Sequence, residues 1–148
     1  MTWQLANEGP TWIPVAAGIE DELCLPRNLL ARLLFQESSF RASVIDGTTA
    51  SPAGAVGIAQ LLPQYFPGAG QDPRTDIETA GRYLASLHGR FGDWQVALAA
   101  YNWGPGAVDK CLKNGGTLDD MPAETQNYVS QIIKDVPVAG SLIQETPS

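Results

Sequence analysis

The stretch Pro26-Arg27-Asn28-Leu29-Leu30-Ala31-Arg32-Leu33-Leu34-Phe35-Gln36-Glu37-Ser38 reads as an amphipathic helix whose apolar face is interrupted at one place. Leu30, Leu33 and Leu34 fall at helical spacing, and the next position of that face is Glu37. Proline at the start does no harm, because the first donors of a helix have no partner within it. A carboxylate aimed at a core is costly unless it is paired or neutral. Burial raises a carboxyl pKa, and a carboxyl so raised donates protons near neutral pH. The plain alternative is that the helix ends here and Glu37 bends out to water.

Working outward, the same 3.6-residue period recurs and no convincing alternating strand is found. A helix is expected over residues 11–23, carrying the acidic patch Glu20-Asp21-Glu22. Residues 41–56, rich in Gly, Thr, Ser and Pro, read as a loop, and residues 58–62 as a short helix. A long helix from Asp72 or Asp76 to Phe91 lines Ile77, Ala80, Leu84, Leu87 and Phe91 along one face. Asp93 is a good N-cap for a helix with Trp94, Ala97, Leu98 and Tyr101 on its apolar stripe, ended by Gly104-Pro105-Gly106. A short helix to Lys113, a last helix from near Pro122 carrying Tyr128, Ile132, Ile133 and Val136, and a tail over 137–148 complete the chain. The expectation is one all-α domain spanning the 148 residues.

Composition narrows the function classes. A hydrophobic content of 44% and a charged content of 17% describe a globular chain, with no apolar run long enough to span a bilayer. The net charge of −7 argues against nucleic acid and anionic membrane as partners, since both are bound through excess Lys and Arg. Cys24 and Cys111 are far apart and read as two free thiols. His88 is the only histidine, so neither a His-based triad nor a histidine metal cluster can be built, and no metal or cofactor is expected. The first ten residues lack the basic and apolar regions of a secretory signal.

Four short strings occur in order: Gln36-Glu37-Ser38-Ser39-Phe40, Gly57-Ile58-Ala59-Gln60, Ala99-Ala100-Tyr101-Asn102-Trp103-Gly104-Pro105-Gly106 and Glu124-Thr125-Gln126-Asn127-Tyr128-Val129. Together they closely resemble the soluble lytic transglycosylase catalytic domain, of glycoside hydrolase family 23 type. Its usual strings are E-S-x-F, G-L-M-Q, A-Y-N-x-G-P-G and E-T-x-x-Y. The resemblance covers about residues 20–136 and implies a goose-type lysozyme-like helical fold with a substrate cleft. The chain departs from the pattern in places. Val44-Ile45-Asp46-Gly47-Thr48-Thr49 lengthen the loop after the glutamate, Ile58-Ala59 replace Leu-Met, Trp103 replaces a small residue, and Cys24 stands where a turn glycine is common.

The resemblance implies cleavage of the bond between N-acetylmuramic acid and N-acetylglucosamine in peptidoglycan glycan strands, with one carboxylate rather than two. Glu37 would protonate the leaving oxygen while the muramyl N-acetyl group assists at the anomeric carbon. The ionised Glu37 would then take the proton of the sugar's own 6-hydroxyl as that oxygen closes a 1,6-anhydro ring. Ser38, Gln60, Tyr101, Asn102, Glu124 and Tyr128 are the expected substrate-binding residues. Each also has a plain structural reading: Ser38 a local helix cap, Gln60 a tie between loops, Tyr101 and Tyr128 core, Asn102 a helix end, Glu124 a charge favoured by the helix dipole. Trp103 would stack on a sugar or cover the core.

Two other readings stand beside this one. A goose-type muramidase would add water, with Asp46 as the activating carboxylate; Asp93 is already explained as an N-cap. A glycan-binding or virion structural module would have lost catalysis, which the retention of Glu37 in its string argues against. A phage or prophage lysis protein, monomeric and reaching the wall through a holin or a virion, fits the compact chain; a periplasmic enzyme cut from its signal fits as well.

Overall fold

In a computed structural model of the chain, residues 2–138 are described. The described residues contain seven α-helices and two short 3-10 turns, and no strand beyond one isolated β-bridge. The helices are α1 (Gly9–Leu23), α2 (Leu29–Ser38), α3 (Ala42–Ile45), α4 (Pro73–Phe91), α5 (Trp94–Trp103), α6 (Pro105–Lys113) and α7 (Ala123–Asp135). The chain groups into two compact units, Met1–Tyr83 and Leu84–Ser148, and the division falls inside α4.

In the first unit α1 starts two residues earlier than its periodicity suggests, with Pro10 in its first turn. The Glu8 N–H donates to the Phe40 carbonyl at 2.9 Å, tying the entry of α1 to the exit of α2. Gly9 is required there, because a Cβ would lie 2.8 Å from the Gln4 carbonyl oxygen and 3.2 Å from the Phe40 ring. The helix ends at Cys24 in a left-handed conformation (φ 57°), which explains why glycine would suit this turn. Gly81 of α4 lets that helix approach α1 and α2 closely: a Cβ would meet Ile19 at 2.7 Å and Leu23 and Leu30 at 3.2 Å.

The start of α2 differs from the sequence expectation. Residues 26–28 form a turn, Asn28 is left-handed (φ 70°), and its own side chain does not cap the helix. The cap comes from α1: the Glu20 carboxylate accepts the Asn28 N–H at 2.9 Å and the Ala31 N–H at 3.0 Å. Glu20 therefore separates from its neighbours in the acidic patch; it is 3% exposed, while Asp21 and Glu22 face solvent. Every residue of 29–34 is buried, including Arg32, whose guanidinium lies 5.0 Å from the Phe35 ring and donates to Gln36 at 3.0 Å.

A second correction concerns residues 58–62. They form no helix: Gly57 (φ 82°) and Gln60 (φ 50°) are both left-handed, which a right-handed helix excludes. Val56 and Leu61 instead close the turn by exchanging two N–H···O bonds of 3.0 Å, with Ile58 and Ala59 fully buried inside it. The expected loop over 41–56 also holds the short α3.

In the second unit Asp93 caps α5 as its sequence implies, accepting the Gln95 N–H at 2.8 Å and the Val96 N–H at 3.0 Å. Residues 95–100 are all buried, so α5 is enclosed rather than amphipathic, with α6 and α7 packed against it. His88 stacks on Trp94, ring centroids 3.7 Å apart. Gly104 (φ 100°) turns the chain and Pro105 opens α6. The expected tail is anchored at its start, where Gln95 donates to the Val138 carbonyl at 3.0 Å; its remainder, 139–148, lies outside the described residues. Cys24 and Cys111 are free thiols.

Burial pushes the Glu20 carboxyl above its ordinary value, and the α2 N–H groups oppose that only in part. A carboxyl raised in the folded state contributes stability that is full below its unfolded pKa and is lost as pH rises through the folded value. The Glu20 contribution to the melting temperature should therefore be lost as pH rises above the ordinary carboxylate range, and Glu20→Gln should remove that component of the pH slope. Equal slopes in calorimetric scans of the two proteins would contradict this.

Candidate active site

Glu37 is the penultimate residue of α2, half-buried, at the point where the helix stops. The stop is built from two consecutive left-handed residues, Ser39 (φ 54°) and Phe40 (φ 56°), which no helix can continue through. Phe40 is fully buried and packs 6.0 Å from Phe35, which packs at the same distance on Trp3. The Ser39 N–H donates to the Phe35 carbonyl at 2.8 Å, and Asn7 donates to the Ser39 carbonyl at 2.8 Å. The backbone that carries Glu37 is thus pinned on both sides of the kink.

Ser38 belongs to that kink. Its hydroxyl donates to the Leu34 carbonyl at 3.0 Å and accepts the Phe40 N–H at 3.2 Å, and the residue is 3% exposed. Of its two sequence readings the structure supplies the local cap, and leaves it almost no surface to offer a sugar. Gln60 is half-buried in the 57–60 turn, where its side-chain amide donates to the Gly57 carbonyl at 3.0 Å.

The remaining expected residues lie in the second unit. Tyr101 and Asn102 occupy the last turn of α5 and are half-buried. Asn102 accepts from the Thr125 hydroxyl at 2.9 Å, a bond joining the end of α5 to the first turns of α7. Glu124 is exposed in the first turn of α7, where the helix dipole favours it, and Tyr128 one turn later is 6% exposed. Trp103 forms a wall of an open cavity of about 510 Å³ shared with Lys110, Cys111, Asn114 and Asp120.

Asp46, the candidate second carboxylate, is exposed, and accepts both the N–H and the hydroxyl of Thr48, at 2.9 and 2.8 Å. Those bonds hold its carboxyl below the usual carboxylate range. No group of three His, Cys, Asp or Glu among the described residues is placed to hold a metal ion. No described helix is long and apolar enough to cross a membrane.

Two further residues hold backbone or side chains near these positions: Thr125 and Asp76. Thr125 sits inside the quoted string Glu124-Thr125-Gln126-Asn127-Tyr128 and was a legible signal. Asp76 looked like a helix-start acid; it is 2% exposed, whereas Asp72 does the exposed capping by accepting the Thr75 N–H at 3.0 Å.

The described residues are all-helical, with Glu37 at the pinned end of α2. The chain belongs to the transglycosylase SLT domain family, whose model matches residues 17–123. It is 30% identical over 110 residues to membrane-bound lytic murein transglycosylase D of Escherichia coli K12, a match covering 62% of this chain and 24% of the relative. The same protein of Escherichia coli O6:H1 strain CFT073 matches equally. Among solved structures, an inactive glutamate-to-glutamine mutant of the lytic transglycosylase Slt from Pseudomonas aeruginosa superposes with a TM-score of 0.62 at 24% identity, over 81% of this chain and 22% of that one. The chain spans about a quarter of the length of these relatives.

Thr125→Val keeps the shape of the side chain and removes the donor to Asn102. It should cost about 1 kcal/mol in denaturant unfolding and shift the side-chain NH₂ resonances of Asn102. Unchanged Asn102 resonances would show that the amide is oriented by other contacts.

Proposed function

We propose that this domain is a peptidoglycan lytic transglycosylase, cleaving the β-1,4 bond between N-acetylmuramic acid and N-acetylglucosamine with Glu37 as its single acid and base. The observation that carries the reading is the placement of Glu37, half-buried at a helix end that two left-handed residues fix, within a chain of the transglycosylase SLT family. The inactivity of the Pseudomonas relative with glutamine in place of one glutamate supports a reaction of this kind.

The chemistry needs little beyond that group. The Glu37 carboxyl gives its proton to the glycosidic oxygen as the C1–O bond breaks, and the muramyl N-acetyl oxygen bonds to C1. The 6-hydroxyl then displaces that oxygen at C1, and its proton returns to Glu37, leaving a 1,6-anhydromuramyl end and the acid restored. Gln60, Tyr101, Asn102, Glu124 and Tyr128 are proposed to position the glycan, with Ser38 acting through the backbone at the end of α2. Inverting hydrolysis, with water attacking the opposite face of the sugar, would need a second carboxylate as base. Asp46, exposed, held by Thr48 and lowered in pKa, is a poor base for that task, which favours the anhydro product.

Glu37→Gln should fold as the wild type and lose about a hundred- to ten-thousandfold in wall lysis, whereas Asp46→Asn should keep most of its activity. Mass spectrometry of muropeptides from purified peptidoglycan reads the product. Free hemiacetal ends that vanish in Asp46→Asn would establish the hydrolytic reaction instead.

Access to the wall follows from charge. A net charge of −7 gives no attraction to an anionic envelope, so we assign the domain a route to its substrate through a partner, a holin-type pore or a phage virion, as in an endolysin or a virion-borne enzyme. Added from outside, it should clear outer-membrane-permeabilised Gram-negative cells far faster than untreated ones. Equal clearing rates would overturn the charge argument.

A further inference from the structure

We propose that Asp76 is a positioning residue for the reaction, holding the 57–60 turn, and with it Gln60, through its buried carboxylate. This rests on the transglycosylase reading and on the place of Gln60 in it. Asp76 lies in the first turn of α4, and both of its oxygens accept the Gly70 N–H at 3.1 Å. On the other side it abuts Gly57, where a Cβ would fall on Asp76 Oδ2 and 3.1 Å from the Gly70 Cα. Gly57 and Gly70 both have positive φ, 82° and 85°, and a Cβ on Gly70 would lie 2.7 Å from Val56. Gly57 therefore clears the ground for the carboxylate, Gly70 makes room for Val56 beside it, and three separate chain segments meet around Asp76.

Gly57 passes that contact on. Its Cα lies against Asp76, and its carbonyl accepts both the backbone N–H of Gln60, at 3.1 Å, and the side-chain amide of Gln60, at 3.0 Å. The bonds between Val56 and Leu61 clamp the turn at its base. Gln60 is thus referred to the helical frame of α4 through Gly57 and Asp76, with no direct bond between Gln60 and Asp76 in that path. Burial raises the Asp76 carboxyl above its ordinary value, so the fold keeps an acid here against a desolvation cost that an apolar residue would not carry.

The test is a double-mutant cycle on lytic rate together with amide hydrogen exchange of the free protein. Asp76→Ala should lower kcat on soluble glycan strands about ten- to a hundredfold, and Asp76→Asn, which keeps an acceptor for the Gly70 N–H, should retain most of the rate. Gln60→Ala with Asp76→Ala should be no slower than Gln60→Ala alone, since one residue acts through the other. The Gln60 and Leu61 amides should lose protection in Asp76→Ala while those of α2 keep theirs. Should Asp76→Ala fail to fold, Asp76→Ser, whose shorter side chain withdraws the acceptor from the Gly70 N–H, should expose the same two amides. Additive rate losses, or Gln60 and Leu61 amides protected as in the wild type, would overturn the positioning role. A wild type inert on peptidoglycan would instead remove the transglycosylase reading, and the exchange data would still say whether Asp76 holds the turn.

Discussion

The first unit is organised around the capture of the α2 N–H groups by the carboxylate of Glu20. A helix start leaves donors without partners, and here they are buried where water cannot serve them. A side chain from α1 supplies the acceptors, so α1 and α2 are joined by polar bonds at one end and by the Glu8 to Phe40 bond at the other. Both ends of α2 are thereby tied to α1 and to Glu8 just before it. Glu37 on the last turn of α2 is carried by that tied frame.

The same device, a polar side chain used against backbone at a place where a helix or turn must stop, recurs along the chain. Ser38 ends α2, Asp93 begins α5, Thr125 holds the end of α5 to α7, and Asp76 secures Gly70 beside Gly57. The strings that mark the family are thus partly instructions for backbone shape. Gly57 and Gln60 illustrate this: the conformation of the turn decides where the glutamine amide lies before any substrate arrives.

Legibility from sequence followed the range of the interactions. The helical class, the limits of α4, α5 and α7 to within a residue or two, and the Asp93 cap depend on neighbours in sequence, and reading neighbours is enough. The start of α2 was misplaced because its cap comes from Glu20, eight positions before Asn28 and on another helix. Residues 58–62 were misread because a short apolar run looks alike in a buried helix and a buried turn, and nothing in the composition announces a left-handed Gln60. Glu37 was legible as a charge on an apolar face. Asp76 was hidden, since an acid at a helix start has an ordinary explanation until Gly57 and Gly70 are seen against it.

The lengthened loop after α2 closes its own hydrogen bonds. Ser43 accepts from the Thr48 hydroxyl and the Thr49 N–H, each at 2.9 Å, and Asp46 binds Thr48, so the extra residues are satisfied by one another and by the end of α3. A segment self-contained in this way can lengthen or shorten in evolution without the helices having to compensate, and loop-closure entropy grows only logarithmically with length. Glu37 stays on a pinned helix end, and the length of the loop that follows it in the chain can vary independently of that end.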